Sequence, residues 1–319
     1  MEALKTVSQQ SLSEASATNS PALHLSPEDW ARLSAVNARW NDDIVKNRAV
    51  VLEVYSPLVR HPENATIALT RDIAYGSDPR QCLDVFAPPG AEKAPVLVFV
   101  HGGAFTRGSK SVNGDIYDNV LYWFARQGFI GVNIEYRLAP AAPFPAGAQD
   151  TALAVDWIAA NIARYGGDPD RIVLMGHSAG GSHVASYLLD PEIGVTPHPA
   201  VKAAILVSAR LKLETLPGNP NAKNVAAYAG DDPEALARRS AITHVERCRW
   251  PVFIAIAENE NRYLDSYGLE FAARLGMVRG AVPRVVQMLG HNHTSTVAHF
   301  NTKEEWLGRQ LLEFLAPYL

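Results

Sequence analysis

Gly176-His177-Ser178-Ala179-Gly180 joins an apolar run ending at Met175 to a segment, Ser182 to Leu189, that can be helical. A serine between strand and helix sits on a sharp, strained turn that needs small residues two positions to either side, and Gly176 and Gly180 meet that need. Such a turn lifts the hydroxyl above the sheet and sets the next amide at a helix N-terminus, where it can stabilise an anion. A second motif, His101-Gly102-Gly103-Ala104-Phe105, closes the apolar run Val96 to Val100. Consecutive small residues let backbone N–H groups face a site with no side chain intervening. Acyl transfer requires both parts, a hydroxyl that attacks a carbonyl and separate amides that receive the charge developing on its oxygen.

These motifs need a sheet beneath them. Apolar runs at 96–100, 129–134, 172–175, 203–207, 252–256 and 285–288 read as strands buried on both faces, with helix-like segments between them, clearest at Ala148 to Arg164 and Lys303 to Leu315. Alternating strand and helix implies an α/β fold with a mainly parallel central sheet and helices on both faces. Asp72 to Tyr75 and Cys82 to Phe86, around Gly76-Ser77-Asp78-Pro79, read as an edge hairpin. Ser26 followed by Pro27, Glu28 and Asp29 has the form of a helix start. Trp30, Leu33, Val36, Trp40 and Ile44 then recur at helical spacing and predict one apolar face. The expected organisation is a disordered tail over 1–23, a helical cap segment over 24–65 and the main domain over 66–319. Within that domain Leu211 to Arg249, with Pro217, Gly218, Pro220, Gly230 and Pro233, breaks the rhythm and reads as a small cap inserted over one end of the sheet.

Composition narrows the function classes. With 319 residues, 47% hydrophobic and 19% charged, the chain can bury a large core. The formal charge, 29 minus 33, is -4, with no basic run, which argues against nucleic acid as a partner. No stretch of 18 apolar residues occurs and the first residues lack the apolar core of a signal peptide, so a soluble, cytoplasmic protein without a membrane partner is expected. Cys82 and Cys248 form no paired or Cys/His spacing, so neither a disulfide framework nor a metal site is expected.

His-Gly-Gly at 101–103, Glu135-Tyr136-Arg137-Leu138-Ala139-Pro140 with Phe144-Pro145-Ala146, and Gly-His-Ser-Ala-Gly-Gly at 176–181 together resemble the hormone-sensitive-lipase-like branch of the α/β-hydrolases, over roughly residues 70–319. The resemblance implies the α/β-hydrolase fold, and an oxyanion hole made by the amides of Gly103, Ala104 and Ala179. Ala104 stands where that branch commonly has a third glycine; it keeps its N–H. The fold orders its triad as serine, acid, histidine. In the family the base follows a short glycine-containing loop, often after Asn or Asp, which points to His293, with His291 as competitor. The acid falls at Glu260, where the family usually has aspartate; Asp265 and Glu258 are the other candidates. His101 and His177 read as structural hydrogen-bonding residues.

A serine carboxylesterase acting on short-chain acyl or aryl esters is the leading expectation, with Ser178 as nucleophile, His293 as base and Glu260 orienting the base. It calls for no metal or organic cofactor. An arylformamidase-type amidase would use the same residues, and a non-catalytic ligand-binding homologue would keep the fold without the reaction. Phe105 and Trp40 are candidate pocket walls. The expected partner is a small-molecule ester; the sequence does not set the oligomeric state, for which a homodimer is the commonest form.

Overall fold

The computed structural model of the protein describes residues 20–319. Its strands are β1 (Ala68–Ala74), β2 (Cys82–Ala87), β3 (Ala94–Val100), β4 (Ile130–Ile134), β5 (Gly167–His177), β6 (Val201–Val207), β7 (Val252–Asn259) and β8 (Arg284–Asn292). They form one sheet in the order β1-β2-β4-β3-β5-β6-β7-β8. β1 pairs antiparallel with β2, and β2 antiparallel with β4. From β4 to β8 every pairing is parallel. The α-helices are α1 (Pro27–Asn37), α2 (Ile44–Leu58), α3 (Asp118–Arg126), α4 (Ala146–Asn161), α5 (Ala179–Leu189), α6 (Ala222–Ala229), α7 (Pro233–Arg238), α8 (Leu264–Arg279), α9 (Ser295–Ala298) and α10 (Trp306–Leu315).

Strand alternation sorts the apolar runs into two cores. Val96, Val98 and Val100 of β3, with Ile172 and Leu174 of β5, pack with Ala148 and Val155 of α4, Val184 and Leu188 of α5, and Phe271 and Leu275 of α8. The intervening Leu97, Phe99, Val173 and Met175 pack with Leu33 of α1, Val51 and Val54 of α2, Val120 and Phe124 of α3, and Leu307 and Leu311 of α10. Full burial of each such side chain contributes about 1.5–3 kcal/mol, enough to fix which face every strand residue takes. Among the described residues no helix is long and apolar enough to cross a membrane.

At the N-terminal end, expectation and structure differ twice. The expected tail over 1–23 lies mostly outside the described residues, but it does not extend to 23: Pro21–Leu23 form a 3-10 turn with Pro21 buried. The stripe from Trp30 to Ile44 is not one helix. Ser26 caps α1 by accepting from the Asp29 N–H at 3.1 Å, as its sequence suggests. The chain then turns after Asn37, and Asp43 starts α2 by accepting from Lys46 N–H at 3.1 Å. Asn47 closes that turn by donating to the carbonyls of Arg39 and Trp40. Further on, the interval 211–249 carries α6, α7 and a 3-10 segment, Ala241–Arg247. Its Leu213, Val225, Tyr228 and Leu236 bury against Phe105, Ala139 and Ala179.

Candidate active site

Ser178 stands between β5 and α5 with φ 57° and ψ -119°, outside the usual region for a non-glycine residue. Its neighbours must be small for measurable reasons. A Cβ on Gly176 would lie 2.5 Å from the Gly180 carbonyl oxygen, and one on Gly180 would lie 2.0 Å from that of Val100. The Ser178 N–H donates to Val207 at 3.0 Å, and its carbonyl accepts from Arg210 N–H at 3.1 Å. The residue is thereby held on the wall of a cleft of about 290 Å³.

Gly103 and Ala104 line the same cleft. Gly103, Ala104 and Phe105 have φ values of 148°, 50° and 69°, and a Cβ on Gly103 would sit 1.8 Å from the Arg107 carbonyl oxygen. Alanine at position 104 therefore occupies the left-handed region, which costs an L-residue about 1–2 kcal/mol. Glu135 braces this loop by accepting from Ser109 Oγ and Lys110 N–H, each at 3.0 Å, from His101 Nε2 at 2.9 Å, and from Arg80. Burial pushes its carboxyl up, but His101, the Lys110 N–H and Arg80 outweigh this and hold it below its ordinary value. Sequence reasoning had passed over Glu135 except as part of a motif.

His293 follows β8 and borders the cleft. Its Nδ1 is hydrogen-bonded to Glu260 Oε1. Both side chains are almost wholly buried. Glu260 also accepts from the N–H groups of Ala257 at 3.2 Å and Asn261 at 2.9 Å. Desolvation raises its carboxyl, yet the His293 ring, with help from Ser208 and the Asn261 N–H, holds it ionised below the ordinary value. The His293 carbonyl accepts from His177 Nε2 at 2.9 Å and from Thr296 Oγ1 at 2.8 Å. Burial drives His177 far below the usual imidazole range, so it is a neutral donor that orients the backbone of His293.

The competing residues have other partners. Asp265 accepts from Ser266 N–H at 2.7 Å in the first turn of α8, and Glu258 accepts from Gly290 N–H at 2.6 Å. His291 is enclosed, with Nε2 2.7 Å from Glu304 and Nδ1 3.0 Å from Ser295 Oγ. Neither aromatic candidate for the pocket wall lines the cleft. The Phe105 ring is stacked on Tyr228 at 4.3 Å, and its positive φ belongs to the turn that sets the loop. Trp40 is buried and its Nε1 donates to Asn261 Oδ1 at 2.8 Å, so it braces the Glu260 loop instead. Its neighbours act alike: Asn41 Nδ2 donates to the Glu260 carbonyl at 2.9 Å, and Asn37 Nδ2 donates to that of Gly290 at 2.7 Å. The remaining wall comes from Ile44, Val45 and Arg48 of α2, from Arg107, Tyr117 and Asn221, and from Asn261 and Thr294. None of these carries a motif.

Esterase B from Lactobacillus rhamnosis superposes with a TM-score of 0.71 at 21% identity, over 90% of this chain and 96% of that one. A Pyrobaculum calidifontis esterase gives 0.67 at 23% identity, over 92% and 97%. The chain has the α/β-hydrolase fold. The BD-FAE family model matches residues 83–189 of this chain, the stretch that holds both small-residue motifs. Esterase LipC of Mycobacterium tuberculosis is 41% identical over 113 residues, which are 35% of this chain and 27% of that protein. Gut esterase 1 of Caenorhabditis elegans is 33% identical over 127 residues, 37% and 22% of the two chains. The matched part of the chain thus spans about a quarter of the length of these curated relatives.

Proposed function

We propose that this α/β-hydrolase is a serine carboxylesterase acting on short-chain acyl or aryl esters through an acyl-enzyme. The observation that carries the reading is the buried Glu260–His293 hydrogen bond at the cleft that Ser178 lines. In this mechanism His293 takes the Ser178 proton as Oγ attacks the ester carbonyl, then gives it to the departing alcohol. Glu260 fixes the ring with Nδ1–H toward itself and stabilises the imidazolium. The amides of Gly103, Ala104 and Ala179 take up charge on the carbonyl oxygen. Water, deprotonated by the same histidine, then attacks the acyl-enzyme and releases the acid. Relatives called esterases support the reading, as does the phosphonate-inhibited form of the Lactobacillus esterase.

A cleft of about 290 Å³ lies at the small end for ligand sites, and Ile44 and Val45 give it an apolar edge. Acetyl to butyryl esters are the matching acyl groups. Two free thiols, Cys82 and Cys248, suit a reducing compartment and support a cytoplasmic setting as part of the same proposal. The test is covalent labelling by a fluorophosphonate, followed by turnover of p-nitrophenyl esters of graded chain length. Ser178→Ala should abolish the label and lower kcat by about 10⁴ or more. A label that persists in that variant removes Ser178 from the mechanism, and kcat/KM that climbs out to chains of about ten carbons, gaining ~0.8 kcal/mol per buried methylene, removes the short-chain preference.

A further inference from the structure

Half-buried arginines in this protein usually meet carboxylates. Arg71 pairs with Asp84 and Asp118, Arg137 with Asp150, and Arg171 with Asp168. The cleft departs from this pattern. Two guanidinium groups, the half-buried Arg48 and the more exposed Arg107, line it, and no aspartate or glutamate does. Among the described residues neither has a carboxylate within ion-pair distance. Arg48, one turn into α2, faces the Tyr117 hydroxyl, and Arg107 reaches only the Asn221 amide oxygen, at 3.4 Å. Glu260 is already engaged by His293. Among the described residues, positive charge without a carboxylate partner thus stands beside Ser178, although the chain's formal charge is -4.

Two like charges at one small cleft repel each other unless something anionic lies between or beside them. Guanidinium groups also match a carboxylate in geometry, with parallel N–H donors for its two oxygens. We infer that the cleft takes esters that carry a carboxylate on their non-reacting part, held by Arg48 and Arg107. The inference rests on the esterase reading for its chemistry: the acyl–oxygen bond breaks as before, and the carboxylate is bound without reacting. It adds the substrate class and two specificity-determining residues.

The carboxylate could sit on either side of the scissile bond, so two arms distinguish the cases. For the acyl side, kcat/KM for mono-4-nitrophenyl succinate is compared with that for 4-nitrophenyl butyrate. For the alcohol side, 4-acetoxybenzoate is compared with 4-acetoxybenzamide. In at least one arm the anionic ester should be favoured about tenfold or more, mostly through KM, and the ratio should shrink in 0.5 M salt. Arg48→Gln and Arg107→Gln should each lower that ratio at least fivefold. The ratio is the decisive quantity, because Arg48 also touches Tyr117 and a merely structural loss would slow both esters alike. Calorimetry on Ser178→Ala, titrating 4-hydroxybenzoate and succinate against 4-hydroxybenzamide and succinamide, reads the same charge preference with no turnover required. Ratios near one in both arms together with equal binding of acid and amide overturn the inference while leaving the esterase intact. Ratios unchanged in both arginine variants also overturn it. Absence of any ester turnover would sink the esterase reading instead, with calorimetry still deciding the carboxylate site.

Discussion

Two buried glutamate–histidine pairs stand side by side, Glu260 with His293 and Glu304 with His291, their histidines separated only by Asn292. Each histidine is held by a carboxylate, and the second pair even has a serine, Ser295, on the other ring nitrogen. The difference lies in access. His291 is fully buried, with both nitrogens engaged, whereas His293 uses Nδ1 for Glu260 and borders the cleft. Asn292 separates them: its Oδ1 accepts from Thr294 N–H and Ser295 N–H, turning the chain as β8 ends. A serine, a histidine and a glutamate in hydrogen-bond contact are thus not by themselves a reaction centre. One ring nitrogen must meet a space that substrate can enter.

The sharpest way to break this comparison is to remove each ring. His293→Ala should lower kcat by about 10⁴ or more, because it removes the proposed base that borders the cleft. His291→Ala should keep much of the activity at low temperature but melt earlier, since it strands the Glu304 carboxylate; the opposite outcome assigns the base to His291. The acids form the next test. Glu260→Gln should fold and lower kcat by up to ~10⁴ by favouring the wrong tautomer. Glu304→Gln should instead cost about 1–3 kcal/mol of stability, read from denaturant unfolding, with kcat little changed. If it is Glu304→Gln that abolishes turnover, the two roles are exchanged.

Acid sharpens the distinction further. Burial lowers His299, beside His291, from its ordinary 6.5 to about 4, and Glu304 lies at about 2 because His291 outweighs the cost of desolvating it. In both cases the unfolded chain takes up protons that the native state refuses. Stability is therefore lost as pH falls, first between about 6.5 and 4 through His299, then from about 4.5 toward 2 through Glu304, at about 1.4 kcal/mol per pH unit for each proton. Unfolding free energy measured against pH should show this fall, and Glu304→Gln should lose its lower part; a flat curve across pH 4 to 6.5 contradicts the buried neutral His299. The smallest effect belongs to Asp265→Asn, which should cost under about 1 kcal/mol and leave kcat near wild type, as a first-turn acid of α8 would. A large loss of rate there would move the acid out of Glu260.

The sheet was readable because strands buried on both faces are continuous apolar runs, and Ser178 because its turn restricts composition at 176 and 180. The choice of His293 over His291 needed a motif resemblance, since the two residues are chemically identical and only the turn at Asn292 separates them. Glu260, Asp265 and Glu258 posed the same problem of register. Trp40 was misread because helical spacing persists across a turn, and its role is set by Asn261, far away in sequence. Phe105 was misread because an aromatic beside the oxyanion loop says nothing of Tyr228, on which it stacks. Arg48 and Arg107 look like surface cations until the fold places them at one cleft.

The contacts of Asn37, Trp40 and Asn41 with Gly290, Asn261 and Glu260 span 253, 221 and 219 positions. During synthesis the segment that steadies the Glu260 loop is made more than two hundred residues before its partners and waits for them. Contacts so distant in sequence close large loops and form late. The sheet can therefore be complete while the Glu260 and His293 loops are still unbraced, which leaves a young molecule folded in outline before its cleft is set.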